Sequence, residues 1–236
     1  MDSVGNRNRT VHLWSLSQDV VVEAGDAEGQ LVLTGPWGPE RVDGAHAVVR
    51  DALHRMELGP VLLANVEPRS GVRLVLLPLL ERLSHLVVRT LGVDDLGGPL
   101  LSAAPVARTA SFRLDRLPGW RPVRLPADVT VRRAPRGVTV ESSDAPYRVV
   151  LHRPEAAWVL GLLAWPVTPD DASACLDLPP GMTEAILDYL AAAGMAAPAD
   201  TSADTPASAP ADTPADAPQD PPATDVTGAS PRLWRS

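Results

Sequence analysis

The stretch from 136 to 195 constrains the fold of this chain more than any other, because its elements follow one another with almost no linker. Two β-prone runs, 138–142 and 147–151, are separated by a polar turn, and three short apolar segments with helical spacing follow at once. Each predicted helix is too short to be stable alone, so the three must pack on one another and on the two strands. This order is typical of a small winged-helix unit.

Local signals indicate where the three helices begin and end. Pro154 suits a first helical position because it has no N–H to lose there, and Thr168 is placed to cap a second helix with its hydroxyl. Met182 and Ile186 begin the apolar stripe of the third helix. Gly194 follows that stripe and can close the helix in a left-handed conformation.

The first half of the chain repeats this order of elements. Two β-prone runs meet across a turn, a third strand at 37–42 follows, and Asp43 or Gly44 is placed to cap a helix. A later helix, which Pro78 must start or kink, leads to two strands joined by the turn GVDDLGG. The repeated order predicts two copies of one small unit in tandem.

We therefore expect an α+β protein with two tandem winged-helix units, each made of a few β-strands and three helices. The expected divisions are a flexible N-terminus (1–10), the first unit (11–108), a connector with the second unit (109–196) and a tail (197–236). The tail is rich in Pro, Ala, Asp and Thr and has almost nothing to bury. It is predicted to be disordered, as a linker or a free end.

Charge and hydropathy indicate where the protein is located and which classes of partner it can bind. The formal charge of -8 disfavours a phosphate-binding surface. The polar start of the chain lacks the apolar run of a signal peptide. The longest apolar stretch, 72–80, falls well short of the ~20 residues that a membrane-spanning helix needs. These features predict a soluble, cytoplasmic protein with no membrane partner.

The sequence contains no recognisable catalytic or metal-binding motif. The five histidines lack paired metal-ligand spacing, and the single cysteine, Cys175, excludes an internal disulfide. Cys175 lies in an apolar helical stretch without a basic neighbour, so we expect a buried, unreactive thiol. There is also no G-x-S-x-G and no glycine-rich phosphate loop. We therefore predict no catalytic residue and no metal ligand.

Several runs along the chain carry a resemblance to a known family. The runs SFRLDRL (111–117), GVTVESSDAPYRVVLHRPEAAWVLGLLAWP (137–166) and LAAAGM (190–195) resemble the front part of SagB-type peptide dehydrogenases. Earlier runs, among them VHLWSLSQDVVVEA, LVLTGPWG and LHRMELGPVLLANV, resemble the N-terminal unit of the same family in the same order. The resemblance covers about residues 11–196.

In that family the front part precedes a nitroreductase-like flavin domain, which oxidises thiazolines and oxazolines to thiazoles and oxazoles in ribosomally made peptides. FMN is therefore expected only in that further domain, and no FMN-binding or catalytic position of the family falls within this chain. The resemblance implies a peptide-recognition or assembly module of such a system, as a truncated or split dehydrogenase. Whether the chain counts as an enzyme stays open.

The front units are themselves similar to PqqD-like winged-helix modules that bind leader peptides. In those modules the leader adds as a strand beside the third β-strand and lies against the third helix, a form of β-augmentation. The resemblance implies a peptide groove on Tyr147, Val149, Leu151, Met182, Ala185, Ile186 and Tyr189. In the first half the corresponding candidates are 37–42, Arg73, Leu76 and Leu77. Taken from periodicity alone, the stripe on the third helix is simply core.

The expected partners are the leader of a precursor peptide, a separate flavin dehydrogenase or cyclodehydratase, and a second copy of the chain. Two other functions compete with peptide recognition. A winged-helix DNA-binding regulator needs a basic recognition helix, whereas 181–194 has no arginine and carries Glu184 and Asp188. A scaffold would use the tandem units only to dimerise or to dock on a flavin domain.

Overall fold

The structure of the protein is a computed structural model that describes residues 9–63, 71–95, 97–135 and 137–199, without the side chains of 71–74. These residues form α-helices and antiparallel β-strands, which confirms the predicted mixture of α and β elements. Within the described part of the chain, no helix is long and apolar enough to cross a membrane.

The body of the protein extends to Ala199 as one compact unit. Most of the predicted flexible N-terminus, and the predicted disordered tail from 200 onward, lie outside the described residues. The first three residues of the predicted tail belong to the body. Strand β12 (Ala197–Pro198) pairs with β8 (Val123–Arg124), and the Ala199 N–H donates a hydrogen bond of 3.0 Å to the Pro122 carbonyl oxygen.

One antiparallel sheet runs through both halves of the chain. Its spatial order is β5 (Val61–Leu62), β1 (Thr10–Leu16), β6 (Val87–Val93), β7 (Pro99–Pro105), β11 (Tyr147–Leu151), β10 (Gly137–Glu141) and β9 (Thr130–Ala134). The first four of these strands come from the first half of the chain, and the last three come from the second half. The two halves therefore share a single layer.

The pairing of β7 with β11 joins the two halves. Tyr147 lies opposite Pro105 and Leu151 opposite Leu101, with an unbroken register between them. The other edge of β7 pairs with β6, in the hairpin that the GVDDLGG turn predicts. Both β7 and β11 are consequently interior strands of the sheet.

The first half also contains a second, three-stranded sheet and two helices. In chain order these elements are β2 (Val21–Ala24), β3 (Leu31–Gly35), β4 (Gly38–Val42), α1 (Ala47–Leu58) and α2 (Gly71–Arg82). A 3-10 turn (Ser84–Leu86) follows α2. Their apolar faces form one core, in which Leu33, Leu53 and Met56 are fully buried. Burial of such side chains is the main stabilising contribution to this half.

Helix α1 begins later than its predicted cap. Its N-cap residue is His46, whose side chain makes no capping hydrogen bond. The predicted cap, Asp43, instead accepts a hydrogen bond from Gln30 Nε2 at 2.6 Å. Because this carboxylate bonds to Gln30, just before β3, it does not cap the helix.

The second half follows its strands with three helices, α3 (Pro154–Leu162), α4 (Pro169–Cys175) and α5 (Met182–Ala192). The predicted start signals act as expected. Pro154 is the first residue of α3, and Thr168 Oγ1 accepts a hydrogen bond of 3.1 Å from the Asp171 N–H at the start of α4. Gly194 adopts a φ of 81° just after α5. The three helices and strands β7, β10 and β11 enclose a second core.

Candidate functional site

The residues of the second half that are predicted to bind a peptide lie close together, but most of them are buried in the hydrophobic core. Tyr147, Val149 and Leu151 are buried on one face of β11, and the α5 side chains Met182, Ile186 and Tyr189 are buried in the same cluster. Ala185 is half-buried and lines a shallow cavity of about 260 Å³. The arrangement matches the interpretation of this stripe as core.

Strand β11 offers no free edge to an incoming peptide. One edge pairs with β10 and the other with β7, which also packs against α5. The place beside the third strand and the third helix, where the resembled modules receive a leader, is thus filled by β7 of the same chain. Peptide binding by these residues stays a prediction, and strand addition at β11 requires β7 to leave.

The candidates of the first half are spread over several places. Residues 38–42 form β4, which pairs only with β3 among the described residues. Leu76 is buried in the first core, whereas Leu77 lines a large cavity. The side chain of Arg73 lies outside the described part of the chain. Their use as a peptide groove stays a prediction.

The large cavity lies where β1, β6, α2, α5 and the connector after β7 meet, and its volume is about 630 Å³. Both halves of the chain contribute to it. Its polar lining comprises His12, Glu81, Ser84, Arg89, Ser111, Arg113 and Asp115. Its apolar lining comprises Trp14, Leu77, Phe112, Leu114 and Tyr189. A cavity of this size and mixed lining is in the range of small-molecule and side-chain binding sites.

Arg89, from the middle of β6, is the most unusual residue of the cavity. Only 6% of its surface is exposed, and its buried Nε atom has no hydrogen-bond partner in the described part of the chain. Its guanidinium carbon lies 3.0 Å from the centre of the Trp14 ring and 5.6 Å from that of Phe112. Such cation–π contacts offset about 0.5–2 kcal/mol of the cost of burying a charge, which is only a part of it.

The charge of Arg89 persists despite this burial. Loss of hydration lowers the pKa of Arg89 to about 10, so the guanidinium remains protonated at neutral pH. Glu81 is an acid whose field reaches it, but among the described residues the two form no ion pair. The cavity therefore contains a buried positive charge that no side chain of the described residues neutralises by direct contact.

Hydrogen bonds hold the aromatic wall of the cavity in place. Tyr189 Oη lies 3.0 Å from His12 Nδ1, and the two rings stack with their centres 5.6 Å apart. Burial is the main cause that lowers the pKa of His12, with a contribution from Arg89, and burial raises the pKa of Tyr189. A neutral imidazole and a neutral phenol are therefore the expected forms at neutral pH.

A second set of bonds fixes the start of the connector. Ser84 Oγ accepts a hydrogen bond from the Phe112 N–H at 3.1 Å and lies 2.9 Å from Tyr147 Oη. Phe112 is thereby held edge-on to Tyr147, with ring centres 5.4 Å apart. Both the backbone and the ring of Phe112 are therefore held by specific contacts at this side of the cavity.

The outer edge of the main sheet is a separate candidate site. Strand β9 pairs with β10 and, within the described part of the chain, with nothing else. Thr130, Val131, Arg132 and Arg133 are all exposed. Alternate residues of such an edge direct unpaired N–H and C=O groups outward, where another strand can add.

The described residues give no support to metal chemistry or to a buried thiol. Among them, no group of three or more His, Cys, Asp and Glu side chains could hold a metal ion. Cys175, the last residue of α4, is exposed, so the prediction of a buried thiol is wrong. The buried side chains of this short helix are instead those of Pro169 and Ala172.

Sequence reasoning misses both Arg89 and β9. Arg89 interrupts the apolar run HLVVRTLG, and a lone arginine in a run that reads as a buried strand is the available signal. The residues of β9, TVRRA, lack the alternation of a half-buried strand, so the sequence gives no comparable signal there. No protein-family profile matches this chain, and no curated protein matches it significantly.

Proposed function

We propose that the chain is a cytoplasmic peptide-recognition module of an azoline-oxidising, thiazole- or oxazole-forming system for ribosomally made peptides. Its body would consist of two tandem winged-helix, PqqD-like units that share one sheet. The resemblance of 11–196 to the front part of SagB-type peptide dehydrogenases supports this proposal, as does the order of three strands (β9, β10, β11) followed by three helices in the second half.

The observation that carries the proposal is the free edge of β9. A peptide that adds there would extend the seven-stranded sheet by one strand, with main-chain hydrogen bonds supplying affinity. The usual position beside β11 is taken by β7, so β9 is the edge of the second unit that remains available. The peptide would accordingly bind at the opposite side of the unit from the resembled modules.

The side chains of β9 favour an acidic peptide. Arg132 and Arg133 are exposed and point to opposite faces of the sheet, as successive residues of a strand do. Their charges would attract Asp and Glu on both sides of an added strand and would repel a second β9 from another copy. The proposed ligand is thus the acidic leader of a precursor peptide.

Catalysis would belong to partners of this module. A separate flavin dehydrogenase or a cyclodehydratase would act on the peptide that the module holds, and FMN would bind to the dehydrogenase. The DNA-binding alternative stays a prediction without a supporting observation, since α5 carries Glu184 and Asp188 and its other side chains are mostly buried.

Amide hydrogen exchange on the full chain tests the proposal. The probe is a synthetic peptide, rich in Asp and Glu, that represents the leader. We expect its addition to slow exchange in 130–134, because outward N–H groups of β9 would become hydrogen-bonded. Slowed exchange elsewhere with none in β9, or no binding of the leader, would overturn the proposal.

Charge reversal provides a matched comparison. The double variant Arg132→Glu/Arg133→Glu should weaken binding of an acidic leader by about tenfold or more, and the loss should shrink at high salt. The control is Arg50→Glu/Arg121→Glu, which reverses two exposed arginines away from β9. Equal losses in both variants would indicate general attraction rather than docking at this edge.

A further inference from the structure

Arg89 is a buried arginine beside a cavity, a position suited to binding a ligand. Peptide binding at β9 does not involve it. With 6% of its surface exposed, it forms no ion pair within the described residues, and its Nε is unpartnered. Its guanidinium nonetheless borders a cavity of about 630 Å³. A buried charge in contact with an accessible cavity favours entry of a group of opposite charge.

Aromatic contacts fix the plane of this guanidinium. Trp14 covers it at 3.0 Å, and the Phe112 ring lies 5.6 Å away on the connector after β7. Stacking of this kind leaves the N–H groups at the edge of the guanidinium plane free to donate. A planar, paired acceptor fits that edge best, because two parallel N–H···O bonds can form.

The remaining charges around the cavity discriminate between anions. Arg113 adds a second positive charge, whereas Glu81 and Asp115 add two negative ones. With Arg89, the charged side chains of the lining sum to zero. A single negative charge is therefore tolerated beside Arg89, while a phosphate dianion meets two nearby carboxylates.

We infer that this cavity is a binding site for a carboxylate, held by Arg89 and carried on a body of amino-acid or short-peptide size. Ser111 offers a hydroxyl in the same lining, and Trp14 and Phe112 offer apolar surface to the body of the ligand. Four inter-strand spacings, roughly 19 Å, separate β6 from β9 in the sheet. The site is therefore independent of the proposed peptide edge, and either can fail without the other.

Isothermal titration calorimetry of the full chain provides the test. One probe, N-acetylphenylalanine, presents a terminal carboxylate, and another, N-acetylglutamate α-amide, presents a side-chain carboxylate. N-acetylphenylalanine amide is the neutral control, and inorganic phosphate, at a pH above its second ionisation, is the dianion. We expect at least one carboxylate to bind, the neutral amide not to bind, and phosphate to bind more weakly than the carboxylate.

Variants tie the binding to Arg89. Arg89→Met should weaken the carboxylate at least about tenfold, and Arg89→Lys, which keeps the charge but loses the paired geometry, should weaken it severalfold. Arg50→Met, at an exposed arginine of α1, should change nothing. Failure of both carboxylates to bind, equal affinity of wild type and either Arg89 variant that folds, or phosphate binding as tightly as carboxylate would overturn the inference.

Discussion

Gly137 occupies a position, at the start of β10, that excludes every residue with a side chain. Its φ is 138°, and an added Cβ would collide with the carbonyl oxygen of Leu151 on β11. We expect Gly137→Ala to lower the free energy of unfolding by about 2–3 kcal/mol. Chemical denaturation of wild type and variant measures the difference.

Gly161 supplies the matched control for that substitution. It lies in α3, is exposed, and has open space around the position of a Cβ. Gly161→Ala should therefore raise the free energy of unfolding by about 0.5–1 kcal/mol, because alanine loses less backbone entropy in a helix. A similar change in both variants would contradict the assignment of strain to Gly137.

Replacement of Arg89 should change the stability of the protein as well as its binding of a carboxylate. The folded state places its charge among aromatic rings without an ion pair among the described residues, and the lowered pKa reflects that cost. Without ligand at pH 7, Arg89→Met should raise the free energy of unfolding by about 1–3 kcal/mol. Arg50→Met should stay within about 0.5 kcal/mol of wild type. A clear loss of stability in Arg89→Met would mean that the guanidinium is better satisfied than its contacts indicate.

Among the elements, those defined by local signals are the ones that the sequence predicts well. Pro154, Thr168 and Gly194 act within their own turn of chain, so the positions of α3, α4 and the end of α5 follow from them. The pairing of β7 with β11 joins residues more than forty positions apart, and no local pattern specifies it. The free edge at β9 depends on that pairing, and therefore could not be predicted either.

The side chain of Thr168 caps the N-terminus of α4, and its contribution to stability can be measured. Thr168 Oγ1 accepts from the Asp171 N–H at 3.1 Å and donates to the Asp171 carboxylate at 2.6 Å, so it satisfies a backbone group of a helix only seven residues long. Thr168→Ala should cost about 1 kcal/mol in unfolding free energy, whereas Thr168→Ser, which keeps the hydroxyl, should cost a few tenths. Equal losses would point to the threonine methyl group instead of the hydroxyl.

The two separate cores suggest that the halves of the body could unfold independently, whereas the seven-stranded sheet that they share suggests that they unfold together. The core around Leu53 and the core around Ile186 consist of different residues. Yet β6, β7 and β11 are hydrogen-bonded neighbours in one sheet, and separating the halves would expose two interior strand edges. Exposed edges of this kind carry unpaired backbone groups and apolar side chains, so neither half is expected to be stable alone.

The body should therefore unfold in one cooperative step. Leu53→Ala and Ile186→Ala remove fully buried side chains from the first and second core and should each cost about 2–5 kcal/mol. Each should shift the whole transition, with tryptophan fluorescence and circular dichroism changing together. Leu58→Ala, at a side chain that is 89% exposed, should leave the transition nearly unchanged. Two transitions, each moved by only one of the core variants, would show that the β7–β11 pairing is too weak to couple the halves, and would make displacement of β7 by a peptide energetically accessible.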